Sequence, residues 1–112
     1  MEKKERKNNL ITVRIPAEDM ATVEYLSDCT NQSKSEVIIR ACKYYLNMRE
    51  ASVGQIHNRG FERVHKRSQV HLRVTDSDYE LLHKRGRENG LSLAELVRAG
   101  IREYDRFQRK HY

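Results

Sequence analysis

Proline occurs once and cysteine twice, and no apolar stretch approaches the ~18 residues of a membrane-spanning helix. The charged start, Met1 to Lys7, leads into no apolar segment of the secretory kind, so a cytoplasmic location is expected. Cys29 and Cys42 stand thirteen positions apart with no second pair. That spacing excludes a disulfide framework and a zinc finger, and leaves two reduced thiols. Also missing are a glycine-rich phosphate loop, a nucleophile elbow and a metal-binding pair among His57, His65, His71, His83 and His111. No enzymatic activity is therefore expected, nor any catalytic residue, metal or other cofactor.

What the chain has instead is positive charge. Its 22 Lys and Arg residues outweigh 16 Asp and Glu, a net charge of +6 on 112 residues. The hydrophobic fraction of 38% is that of a folded chain with a modest core. The length leaves room for one small domain, or for two very small units sharing a core, since chains below ~40 residues seldom fold unaided. The charge is uneven: residues 1–9 carry +2, 10–50 carry −1, 51–68 carry +3 and 69–112 carry +2. An anionic partner is implied. A membrane surface is the poorer candidate, because no helix opposes a Lys/Arg face to a bulky aromatic one.

One pattern is written twice, at an offset of 59 residues without gaps. Ile11-Thr12-Val13-Arg14-Ile15 matches Val70-His71-Leu72-Arg73-Val74. Both alternate apolar and polar residues with period two, which predicts a short strand with one buried face. Helix starts follow at Pro16-Ala17-Glu18-Asp19 and Thr75-Asp76-Ser77-Asp78, where Pro suits a first turn and acids favour the positive end of the helix dipole. Each first helix is expected to stop at a residue that tolerates the left-handed conformation, Asn31 or Gly90. The capping boxes Ser33-Lys34-Ser35-Glu36 and Ser92-Leu93-Ala94-Glu95 then open second helices. Their apolar stripe, Val37, Ile38, Ala41, Cys42 and Tyr45, matches Leu96, Val97, Gly100, Ile101 and Tyr104. Tyr45 and Tyr104 are thus core positions and not nucleophiles. The second copy has a weak place: Arg85 and Gly86 stand where the first helix should continue its apolar face. A shorter helix, or an Arg85 stem lying over the core, is expected there.

A lone strand leaves its backbone groups unpaired, so each repeat needs another strand. The two supply each other if they pair antiparallel, with Ile11, Val13, Ile15, Val70, Leu72 and Val74 facing four helices. The segment from Ala51 to Ser68 could extend to ~60 Å at ~3.3 Å per residue, ample for the return. The expected fold is mainly α with a short two-stranded antiparallel ribbon. Its parts are a flexible basic arm (1–9), a first repeat (10–50), a basic linker (51–68) and a second repeat (69–112), folded as an intramolecular pseudo-dimer.

The strand, the helix ending at Asn31 or Gly90, and the Ser-x-x-Glu start resemble the ribbon-helix-helix superfamily, which includes the Arc and Met repressors. In both copies 18 residues separate the strand from the cap, Ile15 to Ser33 and Val74 to Ser92. Two copies in one chain look more like the TraY-type accessory proteins of plasmid transfer. The resemblance implies sequence-specific binding of double-stranded DNA, with the ribbon laid in the major groove. It implies a transcriptional repressor or, alternatively, a relaxosome accessory protein that binds and bends an origin of transfer. Further copies on adjacent sites, a relaxase and a coupling protein are candidate partners.

Burying the apolar strand face turns Leu10, Thr12 and Arg14 outward, with Gln69, His71 and Arg73 in the second copy. These are the candidate base readers: Gln suits adenine, Arg suits guanine, and Leu or the Thr methyl suits a thymine methyl. The candidate phosphate contacts are the starts of the second helices, Ser33, Lys34 and Ser35, and Ser92, Leu93 and Ala94. Leu93 and Ala94 offer only backbone amides. Lys3, Lys4, Arg6 and Lys7 in the arm, and Arg59, Arg63, Lys66 and Arg67 in the linker, add salt-dependent attraction to the backbone.

Overall fold

The period-two pattern is realised as two strands, β1 (Asn9–Pro16) and β2 (Arg67–Val74). The computed structural model describes the backbone of residues 6–51 and 67–110, and their side chains apart from those of 49–51, 67 and 68. Helices α1 (Ala17–Thr30) and α2 (Lys34–Ala51) follow β1, and α3 (Asp76–Glu88) and α4 (Leu93–Lys110) follow β2. The fold is therefore mainly helical with one two-stranded sheet.

β1 and β2 pair antiparallel over eight residues, from Asn9 opposite Val74 to Pro16 opposite Arg67. Ile11 faces Leu72 and Val13 faces Val70. These four, with Ile15 and Val74, are buried against the helices. The ribbon is one residue longer at its β1 start, and two at its β2 start, than the sequence reading. Asn9 had been expected in the arm, but its Nδ2 donates to Asp76 Oδ1 at the start of α3. Arg67 and Ser68 had been expected in the linker, but their backbones pair with Pro16 and Ile15. Arg59, Arg63 and Lys66 of the linker, and Lys3 and Lys4 of the arm, lie outside the described residues.

The helix stops fall where the left-handed residues stand. Asn31 has φ 55° and its amide donates to the Ser27 carbonyl, while Gly90 has φ 70°. α3 runs 13 residues against 14 in α1, ending before Asn89, whose Nδ2 donates to the Arg85 carbonyl. Gly86 closes the turn by accepting the Leu91 amide at 2.8 Å. The Arg85 side chain is half-buried and reaches Glu88 at 3.6 Å. The weak turn of the second copy thus combines a shorter helix with a partly covered arginine stem.

α2 and α4 form the largest helix–helix contact, and each also packs on the first helix of the other half: α1 on α4 and α3 on α2. Neither half therefore encloses its own apolar residues. Gly100 marks the closest approach of α2 and α4, since a Cβ built there would lie 2.9 Å from the Ala41 carbonyl oxygen and 3.1 Å from Cys42 Cα. Only glycine permits that backbone contact. Cys42 is wholly buried beside it, and burial pushes its thiol up to about 12.

Two buried glycines give opposite expectations. Gly100→Ala forces a methyl into backbone atoms and should lower stability by about 1–3 kcal/mol. At Gly86 an added Cβ meets its nearest neighbours at 3.4 and 3.5 Å, ordinary contact in a helix interior. Gly86→Ala should therefore raise stability by about 0.5–1 kcal/mol. Urea denaturation of both variants reads the two signs. The Cys42 thiol favours the folded state while protonated, so that contribution is complete below its ordinary value of 9.0 and is lost as pH rises toward about 12. Cys42→Ala should flatten the decline in stability over that alkaline window, and an unchanged slope would contradict the assignment.

Candidate nucleic-acid interface

Antiparallel pairing assembles the outward strand residues into three facing pairs. Leu10 opposes Arg73, Thr12 opposes His71, and Arg14 opposes Gln69. All six side chains are exposed while the alternate positions are buried, so the ribbon has a dry face and a wet one. Leu10 is 56% exposed, the highest value among the large apolar side chains of the described residues. The six include two guanidinium forks, an amide and an imidazole, and no carboxylate. In the middle pair Thr12 Oγ1 and His71 Nδ1 are hydrogen-bonded at 3.0 Å. That cross-strand bond was not legible from the sequence, because it depends on register.

The serine half of the capping pattern is present at both second-helix starts. Ser33 Oγ accepts the Glu36 amide at 3.2 Å, and Ser92 Oγ accepts the Glu95 amide at 3.2 Å. In the second copy Glu95 also returns the bond, its Oε1 accepting the Ser92 amide at 3.2 Å. Ser33 and Lys34 are exposed and Ser35 is half-buried. Lys34 forms an exposed ion pair with Glu24 of α1 at 3.6 Å, a contact weak enough to exchange for another anion. Ser92 is exposed, whereas Leu93 and Ala94 are half-buried, and Leu93 packs on the core. The two helix starts therefore differ chemically: one offers hydroxyls and an ammonium, the other a hydroxyl and backbone amides. Arg6 and Lys7 of the arm are exposed next to β1 in sequence.

Three ion pairs hold the helices under the ribbon, and the sequence reading missed all of them. Asp19 of α1 is 3% exposed and meets two arginines of α4, Arg98 at 3.5 Å and Arg102 at 3.4 Å. Lys43 of α2 meets Asp78 of α3 at 2.7 Å. The shared identity of Asp19 and Asp78 was the available signal, but their partners are far apart in sequence. Removing Asp19 would take a buried carboxylate from both Arg98 and Arg102, at a cost of about 3–5 kcal/mol. The more exposed Lys43–Asp78 pair contributes less.

Away from the ribbon, Tyr25, Leu26 and Cys29 of α1 line a shallow hollow of about 280 Å³ with Gln108 and Arg109 of α4. A hydrogen bond to Cys29 holds the exposed Tyr25 phenol above its ordinary range. Among the described residues, no group of three or more His, Cys, Asp or Glu side chains is arranged to hold a metal ion. No described helix is long and apolar enough to cross a membrane. Comparison of the chain with protein-family models, with curated proteins and with solved structures found no match.

Proposed function

We propose that the chain consists of two tandem ribbon-helix-helix repeats folded as an intramolecular pseudo-dimer, and that it binds double-stranded DNA sequence-specifically through the ribbon. The observation that carries this reading is the strand register. Thr12 and His71 are direct partners and stand 59 positions apart, the offset that relates the two sequence repeats. The same offset turns the pair Leu10–Arg73 into Gln69–Arg14. A two-fold axis through the Thr12–His71 pair therefore exchanges one strand with the other.

The helices support the same axis. Exchanging positions across the 59-residue offset takes the Lys43–Asp78 contact to Arg102–Asp19, and takes Ala41 to Gly100 at the α2–α4 crossing. It also takes Asn31 to Gly90, the two residues with positive φ. Such a body presents one exposed ribbon face, and the major groove, ~12 Å wide, admits a two-stranded ribbon. Arginine forks suit guanine O6 and N7, the Gln69 amide suits adenine, and Leu10 suits a thymine methyl. Ser33, Lys34 and Ser35, with Ser92 and the amides of Leu93 and Ala94, would position the flanking phosphates. The net charge of +6 adds salt-dependent attraction.

The cellular role we assign is transcriptional repression by occupation of an operator. Two unlike strands in one chain also suit a relaxosome accessory protein at an origin of transfer. Genome-wide mapping of bound DNA separates the two roles, by enrichment at promoters or at a transfer origin.

Arg14→Ala and Arg73→Ala should each weaken cognate binding by about 1–3 kcal/mol and relax specificity mainly at one base pair. Fluorescence anisotropy against the cognate duplex and its single-base variants measures this, and equal loss on random DNA would contradict it. The internal pairing of β1 with β2 also predicts a folded monomer of 13.3 kDa in dilute solution. Sedimentation equilibrium tests that expectation, and strand-exchanged dimers as the smallest folded species would overturn it.

A further inference from the structure

The six outward side chains differ in what they leave available to a ligand. The hydrogen bond between Thr12 Oγ1 and His71 Nδ1 commits that side of the ring and leaves Nε2 as its remaining polar atom. When the ring proton is on Nε2, the threonine hydroxyl donates to Nδ1. When the ring carries both protons, Nδ1–H donates to the hydroxyl. Both forms keep the contact and present an N–H at Nε2. A neutral ring with its proton on Nδ1 also keeps the contact but makes Nε2 an acceptor, so Nε2 donates in two of the three forms, and a guanine N7 selects those two. The flanking pairs, Leu10 with Arg73 and Arg14 with Gln69, add two guanidinium donors and no carboxylate. A face so rich in donors is complementary to acceptors, and in the major groove the guanine edge, with O6 and N7, is the one that offers two without a donor.

We propose, on the basis of the DNA-binding reading above, that Thr12 and His71 act as one unit at the centre of the ribbon. His71 donates from Nε2 to N7 of a guanine, and Thr12 positions the ring. The preferred duplex is then guanine-rich, non-palindromic and bound in one orientation, because the two strands carry different side chains at each related position.

The test begins with selection from a random duplex library by the full chain and by His71→Ala, at one fixed salt concentration. The intact protein should enrich a non-palindromic site, and His71→Ala should lose its guanine preference at one position only. Replacing that guanine with 7-deazaguanine should weaken the intact protein about tenfold, the scale of one base contact. The same replacement should leave His71→Ala unaffected and penalise Thr12→Val by a smaller factor. Thermal melting of each variant, which loses a cross-strand hydrogen bond between exposed positions, shows that it is folded under the selection conditions. A palindromic site, or a full 7-deazaguanine penalty in His71→Ala, would overturn the inference while leaving DNA recognition standing. A full penalty in Thr12→Val would remove the positioning role. Failure to enrich any sequence would overturn base reading by the ribbon itself.

Discussion

The pairing of β1 with β2 is the contact on which the rest of the molecule depends. Each strand has eight residues and, among the described residues, no strand beside it but the other, so without its partner its backbone groups would lose their ladder. Pairing also gathers two sets of three apolar residues, Ile11, Val13 and Ile15 with Val70, Leu72 and Val74, into one buried face. The helices then pack crosswise beneath it, α1 on α4 and α3 on α2, with Asp19 tied to Arg98 and Arg102, and Asp78 tied to Lys43. An arrangement in which each half covers the other has no stable half. Loss of the ribbon should therefore be loss of the whole fold.

The same pairing builds the candidate interface. A strand alternates its side chains between two faces, so burying one face fixes the identity of the other. The outward residues of two distant segments then stand opposite one another as Leu10–Arg73, Thr12–His71 and Arg14–Gln69. The dry face supplies the stability and the wet face remains open to chemistry. Their separation lets the exposed face carry different side chains on the two strands while the buried face stays aliphatic on both. The buried residue 59 positions beyond Ile39 is Arg98, so the core is not purely apolar.

Much of this was legible in the residues. Period-two alternation marked the strands, the serine caps marked the second helices, and Asn31 and Gly90 marked where the first helices stop. Those signals are local, and each has a local physical cause. Register was not legible, because sliding one strand by two residues keeps every side chain on its own face and preserves the pattern. The Thr12–His71 bond depends on register and was missed for that reason. The ion pairs of Asp19 and Lys43 join residues 35 to 83 positions apart, and charged residues on a helix read as solvated until the neighbouring helix is placed. The extension of the ribbon to Asn9 and Arg67 was likewise decided by the partner strand, since neither residue carries a strand signal of its own.

The most direct test of DNA reading by the ribbon is an NMR measurement of intermolecular NOEs between the full chain and a duplex that it selects. Ribbon insertion predicts NOEs from Leu10, Thr12, Arg14, Gln69, His71 and Arg73 to base protons of the major groove. NOEs confined to helix residues, with the ribbon side-chain signals unchanged on DNA addition, would contradict it.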